Sequence, residues 1–344
     1  MSNPKIIVTG GCGYIGSHTI VDLSENGFEV ISIDSLVRAD ARMLSGIEKI
    51  LGKKIRNYPV DLTDREATLA VLEEHRDAVG IIHFAAYKSV PESTEYPLLY
   101  YRNNMGALYN ILEGAALYNI PNIVFSSSCS VYGLVEHLPV TEQTPFGEAQ
   151  CAYARSKQHG EQVIEDFILA NPLSAILLRY FNPVGAHLSS EIGETPLDVP
   201  NNLVPYITQT AAGRREKLTV FGVDYDTRDG SCIRDYVHVC DIAHAHTLAV
   251  KYLLDGTSGK ALDIFNLGTG TGVSVLEAVQ AFERVTGQQL KYESGPRRPG
   301  DVVAVYADNT KAREVLKWEP QYNIDEMMRS AWAWEKAMKA RGYY

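Results

Sequence analysis

The chain has 344 residues, enough for one large or two moderate domains with an ample core. Its 45% hydrophobic and 22% charged residues are ordinary for a soluble globular enzyme, and a net charge of -10 argues against nucleic acid as a partner, because a general polyanion binder needs a basic face. No apolar run reaches the roughly 18 residues of a membrane span, and the start, Met1 to Lys5, runs into a strand pattern without a signal-peptide core.

Lys5–Thr9 is a short apolar strand. Gly10, Gly13 and Gly16 follow at once in the spacing G-x-x-G-x-x-G, with Tyr14 and Ile15 between the last two, and a helical run continues to about Asn26. Glycines let a backbone approach a pyrophosphate, and a helix N-terminus meets its charge. The next strand, Glu29–Asp34, ends on an acid. An acid about 20 residues beyond such glycines is placed to hydrogen-bond an adenosine ribose and to repel a 2′-phosphate. The pattern predicts a bound dinucleotide, NAD in preference to NADP, although Arg38 nearby keeps the phosphorylated form open.

Strand and helix then alternate. Ile55–Val60 reads as a strand running into Asp61 and Leu62, Thr63 to about His75 as a helix, and Gly80–His83 as a strand followed by Phe84, Ala85, Ala86 and Lys88. Small residues at a strand's carboxyl end let a cofactor come close. Leu98 to about Tyr118 reads as a long helix carrying Asn103 and Asn104. Asn122–Ser127 is a strand with Ser126 to Ser128 at its end, Cys151 to about Leu169 a helix, and Leu173–Tyr180 a last apolar strand. Such alternation predicts an α/β fold with a doubly wound parallel sheet, whose ligands sit beyond the strand carboxyl ends. Gly13, Asp34, Asp61, Ala85, Ser128 and the turn after Tyr180 all fall there.

Beyond Phe181 the regularity breaks. Residues 191–202 read as a loop, Asn202 to about Gly213 as a helix, Leu218–Phe221 as a strand and 224–230 as a turn-rich loop. Arg234–His238 precede a helix from Val239 to about Leu254, and Asp263–Leu267 is a strand ending in Gly268, Gly270 and Gly272. That glycine run resembles a second phosphate loop, but no acid-ended strand follows it, and a tight strand-to-helix turn is the better reading. Arg297 and Arg298 make a basic turn, and a tail helix over Ile324–Ala340 carries Trp332 and Trp334 as packing residues. A mixed lid with Arg234 and Arg298 suits an anionic ligand, because guanidinium groups fork onto phosphate oxygens. The five cysteines, Cys12, Cys129, Cys151, Cys232 and Cys240, have neither C-x-x-C pairing nor metal-ligand spacing, so free thiols in a reducing cytoplasm and no metal are expected.

The chemistry centres on the helix from Cys151. Tyr153 and Lys157 stand four apart on one helix face, with Cβ atoms about 5–6 Å apart. To act as a base near neutral pH a phenol must fall roughly 3 units from its usual value of about 10, or about 4 kcal/mol. One cation ~4 Å away at an effective dielectric of ~20 supplies that much. Lys157, alone or helped by an oxidised nicotinamide, is thus expected to make Tyr153 a phenolate, with Ser128 sharing the proton of a substrate hydroxyl. Taken alone the pair reads as a packing tyrosine and a solvated lysine; the dinucleotide fingerprint overturns that.

With the glycine fingerprint, the serine run, Y-x-x-x-K and the lid together, the chain resembles the extended short-chain dehydrogenase/reductases and, within them, the UDP-glucose 4-epimerase family, over essentially its whole length. The most specific stretches are Val8–His18, Phe125–Gly133, Leu178–His187, Pro200–Leu203, Arg234–Val239 and Pro296–Asp301. The resemblance implies a Rossmann-type NAD-binding domain over residues 1–181 and a smaller mixed α/β UDP-sugar-binding domain over 182–344, with segments near 235–267 packing back on the first. It implies Tyr153 as acid/base, Lys157 as the holder of the nicotinamide ribose, and Ser128 as the group orienting the reacting hydroxyl. Lys88 and Asn103 would bind cofactor phosphate or ribose, Lys88 also reaching the substrate, and Asp61 and Leu62 would flank the adenine. Phe84, Ala85, Ala86, Ser126 and Tyr180 would line the cofactor, Tyr180 also lying near the sugar. Asn182, Asn202, Leu203, Phe221, Arg234, Arg298 and Asp301 would hold the UDP part. A homodimer joined through the two long helices is implied as well.

The implied reaction inverts the sugar 4-hydroxyl of UDP-glucose and UDP-galactose. Tyr153 takes the hydroxyl proton while NAD takes the hydride, the 4-ketose turns while its UDP is held, and the hydride returns to the other face. Ala152 to Lys157 reads Ala-Tyr-Ala-Arg-Ser-Lys where Pro-Tyr-Gly-Lys-Ser-Lys is usual, and Ser35 replaces a frequent Asn; the catalytic pair is kept. Cys129 reads as a buried filler. In this family the position of Val305 sets room around the sugar 2-substituent, and so small a residue implies that the N-acetylated pair is also interconverted. Related 4,6-dehydratases place Asp-Glu after the active-site Ser/Thr, where Cys129 and Ser130 stand here, and the decarboxylases carry a glutamate that is missing. A non-catalytic dinucleotide sensor would not need Tyr153 and Lys157.

Overall fold

The computed structural model describes residues 3–196, 199–200, 202–256, 259–298 and 301–344. Its first half alternates β1 (Lys5–Thr9), α1 (Tyr14–Glu25), β2 (Glu29–Ile33), α2 (Arg42–Leu51), β3 (Arg56–Tyr58), α3 (Arg65–Glu74), β4 (Gly80–His83), α4 (Val90–Glu95), α5 (Pro97–Tyr100), α6 (Gly106–Leu117), β5 (Asn122–Ser128), α7 (Ala152–Ala170) and β6 (Ser174–Tyr180). The strands are short and apolar on both faces, which suits a parallel sheet covered on both sides. Ile6, Val8, Ile82, Val124 and Ile176 pack into one core layer, and Ile7, Ile31, Ile81, Ile123 and Leu177, on the opposite face, into the other.

The second half adds β7 (Asn182–Val184), α8 (Leu203–Ala211), β8 (Leu218–Phe221), β9 (Ile233–Arg234), β10 (Tyr236–His238), α9 (Val239–Leu254), β11 (Leu262–Leu267), β12 (Val273–Ser274), α10 (Val275–Thr286), β13 (Tyr292–Gly295), β14 (Ala304–Val305) and α11 (Ile324–Ala340). β11 returns to the main sheet, pairing in parallel with β6 from Leu262 opposite Ala175 to Leu267 opposite Tyr180. Among the described residues the main sheet is seven-stranded, in the order β11-β6-β5-β4-β1-β2-β3, and every pairing is parallel. From β1 the chain moves outward to β2 and β3, then crosses back to β4 on the other side of β1. The resulting crevice at the carboxyl ends of β1 and β4 is where such sheets bind ligands. Smaller sheets, β10-β7, β12-β9-β14 and β13-β8, sit over a third apolar core of Val204, Ile207, Leu218, Val220, Phe282 and Met328.

Several elements differ from the sequence expectation. α2, α4 and α10 went unanticipated, although α2 carries an apolar stripe at Met43, Gly46 and Ile47 and α10 opens on a Ser274/Glu277 capping box. The long helix expected over Leu98–Tyr118 is α5 and α6 joined by a π-helical turn at Tyr101–Met105. The predicted loop over 191–202 includes residues 197, 198 and 201, and the predicted basic turn includes 299 and 300, all outside the described residues. Trp334 packs in the core and donates its indole N–H to the Glu194 carbonyl at 3.0 Å, and Trp332 meets Phe282 edge-on at 5.6 Å. No helix among the described residues is long and apolar enough to cross a membrane.

Candidate active site

The loop after β1 is built for close approach. Gly10 has φ +68°, and a Cβ there would lie 2.9 Å from the Ala85 nitrogen; a Cβ on Gly16 would lie 2.2 Å from the Gly10 carbonyl oxygen. Gly13 begins α1 in extended backbone and its missing side chain leaves the helix N-terminus uncapped by any side-chain group. Ile15 packs against the core, and the Tyr14 hydroxyl donates to the Gly185 carbonyl at 2.6 Å, tying this loop to the second half. At the end of β2 the buried Asp34 accepts from Cys12 N–H (3.0 Å) and Leu36 N–H (2.8 Å), one on each carboxylate oxygen. Burial raises the Asp34 pKa, and these two N–H groups oppose that. Arg38 is engaged elsewhere, paired with Glu92 at 2.7 Å and stacked over Tyr87 at 4.6 Å.

The other predicted cofactor residues follow β3 and β4 or lie on the π-helical turn before α6. Asp61 is exposed and accepts from Thr63 N–H and hydroxyl; Leu62 is buried. Phe84 meets His246 at a tilt, ring centres 4.5 Å apart, Ala85 and Ala86 follow half-buried, and Lys88 is exposed and paired with Glu194 at 3.1 Å. Asn103 sits in the π-helical turn and donates to Asn104 at 3.0 Å; Asn104 in turn holds Tyr87 N–H and Ser156. An uncapped helix end, a glycine wall that side chains would fill and an acid at the next strand end together fit a dinucleotide.

β5 ends the crevice. Ser128 lies beside Tyr153, on the first turn of α7, and accepts from Ser130 N–H at 3.2 Å. Lys157 is buried, donates to the Ser126 carbonyl at 2.5 Å, and sits 5.9 Å from the Tyr153 ring centre and 4.9 Å from that of Phe125. The Ser126 hydroxyl bonds the Tyr180 hydroxyl. Burial pushes the Tyr153 phenol up to about 12, the Ser128 side chain opposing, and pushes the Lys157 ammonium down to about 8, with Glu161 opposing. Burial penalises both charged forms, so the protein by itself holds Tyr153 as the neutral phenol.

The predicted substrate residues divide into two groups. Phe221, Arg298, Asp301, Arg234 and Val305 form one patch. Arg298 lies over the Phe221 ring at 4.8 Å and reaches Asp301 at 3.3 Å, and Asp301 also takes Arg234 at 3.2 Å. Val305 is buried and pairs with Arg234 across β14 and β9. Burial pushes the Cys129 thiol up to about 12, the nearby Arg234 guanidinium opposing, so this patch adjoins Ser128. In the second group, Asn202 caps α8 and donates to Glu194 at 2.8 Å, with Leu203 packed beneath on the third core. Asn182 opens β7 directly after β6, its side-chain oxygen buried and without a hydrogen-bond partner among the described residues.

Sequence reasoning missed Glu194, which joins Lys88 to Asn202, and Glu161, four residues beyond Lys157, which pairs with Arg179 at 2.6 Å and accepts from Ser127 beneath the site. The i, i+4 spacing from Lys157 was a signal for Glu161; Glu194 lay in a stretch read only as loop.

The family model described as GDP-mannose 4,6 dehydratase matches residues 7–331. The UDP-glucose 4-epimerase of Bacillus subtilis (strain 168) is 45% identical over 339 residues, covering 98% of each chain. The crystal structure of UDP-glucose-4-epimerase from Stenotrophomonas maltophila with bound NAD and formylated UDP-arabinopyranose superposes with a TM-score of 0.95 at 41% identity, covering 98% of this chain and 99% of that one. That of UDP-glucose 4-epimerase from Bifidobacterium longum in complex with NAD+ and UDP gives 0.91 at 40%, covering 97% and 98%.

Proposed function

We propose, for a chain that belongs to the UDP-glucose 4-epimerase family, that it interconverts UDP-glucose and UDP-galactose by inverting the sugar 4-hydroxyl with bound NAD. The observation that carries this is Ser128, at the end of β5, beside Tyr153, with the buried Lys157 one turn further along α7 and anchored on the Ser126 carbonyl. NAD, when bound, supplies a hydride acceptor that returns the hydride to the opposite face of C4. Gly10, Gly13, Tyr14, Ile15 and Gly16 would hold its pyrophosphate, Asp34 its adenosine ribose, and Lys157 its nicotinamide ribose.

Tyr153 takes the proton of the sugar hydroxyl and gives it back, and Ser128 bridges the two oxygens so that the proton moves within one hydrogen-bonded chain. Lys157, anchored on the Ser126 carbonyl, eases proton loss from Tyr153 by its positive charge. Arg234 and Arg298 grip the diphosphate, Asp301 holds both arginines and helps hold the UDP part, Phe221 stacks on the base, and Asn182 offers its unpartnered oxygen. A grip at the UDP end with few contacts at the hexose lets the sugar turn over between the two transfers. The small Val305 supports N-acetylated UDP-hexoses as further substrates; Val305→Tyr should then abolish turnover of that pair and spare the plain one.

Dehydration, the reaction in the name of the matched family model, needs an acid beside Ser128. Cys129 and Ser130 occupy those places, and burial keeps the Cys129 thiol protonated. A homodimer is supported by exposed Leu98, Leu99, Tyr109 and Leu117 on α5 and α6 and Leu169 on α7, an apolar face that a second copy would cover. Light scattering on the purified protein tests it. The function itself is tested by incubating the holoenzyme with UDP-galactose and analysing the sugar nucleotides; no UDP-glucose with NAD saturating would reject it. Tyr153→Phe should lose about three orders of magnitude in rate with its fold intact.

A further inference from the structure

The glycine run from Gly268 to Gly272 is filled by a carboxylate of the chain itself. It joins β11 to β12, and Asp235, wholly buried, turns its side chain into it. Thr269 donates its N–H (2.7 Å) and its hydroxyl (2.6 Å) to one Asp235 oxygen; Gly270 N–H (3.2 Å) and Ala307 N–H (3.1 Å) donate to the other. A Cβ on Gly268 would lie 2.3 Å from that second oxygen, so glycine is what admits the carboxylate. This is an anion in a nest of backbone N–H groups, with the anion supplied by a residue in place of a phosphate.

Three segments of the substrate patch converge there. The Asp235 carbonyl accepts the Asn182 N–H at 2.9 Å. Its neighbour Arg234 is paired on β9 with Val305 of β14 and Val273 of β12. Ala307, two residues beyond Val305, is tied to the carboxylate directly. Asp235 joins β9 to β10 with its side chain in the nest, while Arg234, the last residue of β9, donates to the Val302 carbonyl (2.6 Å) and pairs with Asp301.

We infer that Asp235, held by Thr269, Gly270 and Ala307, is a positioning residue that fixes Asn182, Arg234 and Val305 relative to one another and so sets the grip on the nucleoside diphosphate. This rests on the assignment of those three residues to the UDP-sugar. Thr269→Val removes one donor while keeping shape and backbone N–H; Asp235→Asn removes the charge. For each holoenzyme, KM and kcat with UDP-galactose, the dissociation constant of UDP and the retained NAD are measured at a temperature where the variant is folded. KM and the UDP constant should rise about threefold to tenfold for Thr269→Val and further for Asp235→Asn. Retained NAD and kcat should stay within about twofold, because the cofactor crevice is elsewhere.

A clasp that only stabilised the fold would leave KM unchanged, or would lower kcat, NAD content and melting temperature together; either result overturns the inference. Arg234→Met is the reference. If it leaves UDP affinity unchanged, the assignment of the substrate patch fails. If it weakens UDP while Thr269→Val and Asp235→Asn do not, only the role of Asp235 fails. Should Asp235→Asn not fold, Thr269→Val decides.

Discussion

Lys157→Met separates the charge of the ammonium from the bulk of the side chain. The ammonium lies 5.9 Å from the Tyr153 ring centre, which at an effective dielectric of ~20 is worth about 3 kcal/mol to a developing phenolate. That is about two pH units in the phenol, or about a hundredfold in rate on the limb where phenolate population limits turnover. Stability should move the other way. The folded Lys157 pKa is depressed from its ordinary 10.5 to about 8, so the folded state favours the neutral amine. The cost of holding it charged is full below about pH 8, shrinks as pH rises from about 8 to 10.5 and vanishes above, an effect on the order of 3 kcal/mol. The lost bond to the Ser126 carbonyl offsets about 1 kcal/mol of the gain. The Met variant should therefore be at least as stable as its parent at neutral pH, with the advantage fading on titration to about pH 10.5. The assay is UDP-galactose turnover across pH at saturating NAD, beside thermal unfolding of both proteins. A neutral-pH rate within about threefold of the parent, or a rate loss that accompanies a lower melting temperature, would refute the electrostatic reasoning.

Ser128→Ala removes the hydroxyl beside Tyr153; kcat should drop about tenfold to a hundredfold with KM little changed, read by steady-state kinetics. Gly10→Ala forces a Cβ to 2.9 Å from the Ala85 nitrogen at φ +68°, and should cost about 1–3 kcal/mol in stability and lower the NAD retained through purification. His18, His83, His238 and His246 are buried, and burial lowers their pKa values to about 3 or 4. The unfolded chain takes up their protons first, so stability should fall as pH drops from about 6.5 towards 4. Equal melting temperatures at about pH 7 and about pH 5 would contradict that.

The dinucleotide half was legible because its signals are local and periodic. The glycine loop, the acid ending β2 and the apolar strands β1, β4 and β6 each reveal themselves within a few residues. The substrate half was less so, since β9, β12 and β14 are two-residue strands whose partners lie far apart in sequence. Pairings such as Arg234 with Val305 leave no local pattern. The setting of Tyr153 was half legible for a related reason: four-residue spacing on a helix shows that Lys157 is near, but not that Lys157 is buried or that burial raises the phenol. The second glycine run was legible as a turn; what filled it was not, because Asp235 arrives from the distant junction between β9 and β10.

The placement of β11 against β6 bears on the order in which a ribosome delivers this molecule. When Tyr180 emerges, the outer edge of β6 has no neighbour, and its partner is supplied only when Leu262–Leu267 has been made, on the order of several seconds later at roughly 5–20 residues per second. Throughout that wait a buried-type apolar strand stands with open amide and carbonyl groups, the template on which nascent chains join edge to edge. Cutting the gene at the end of the first half would make that transient state permanent.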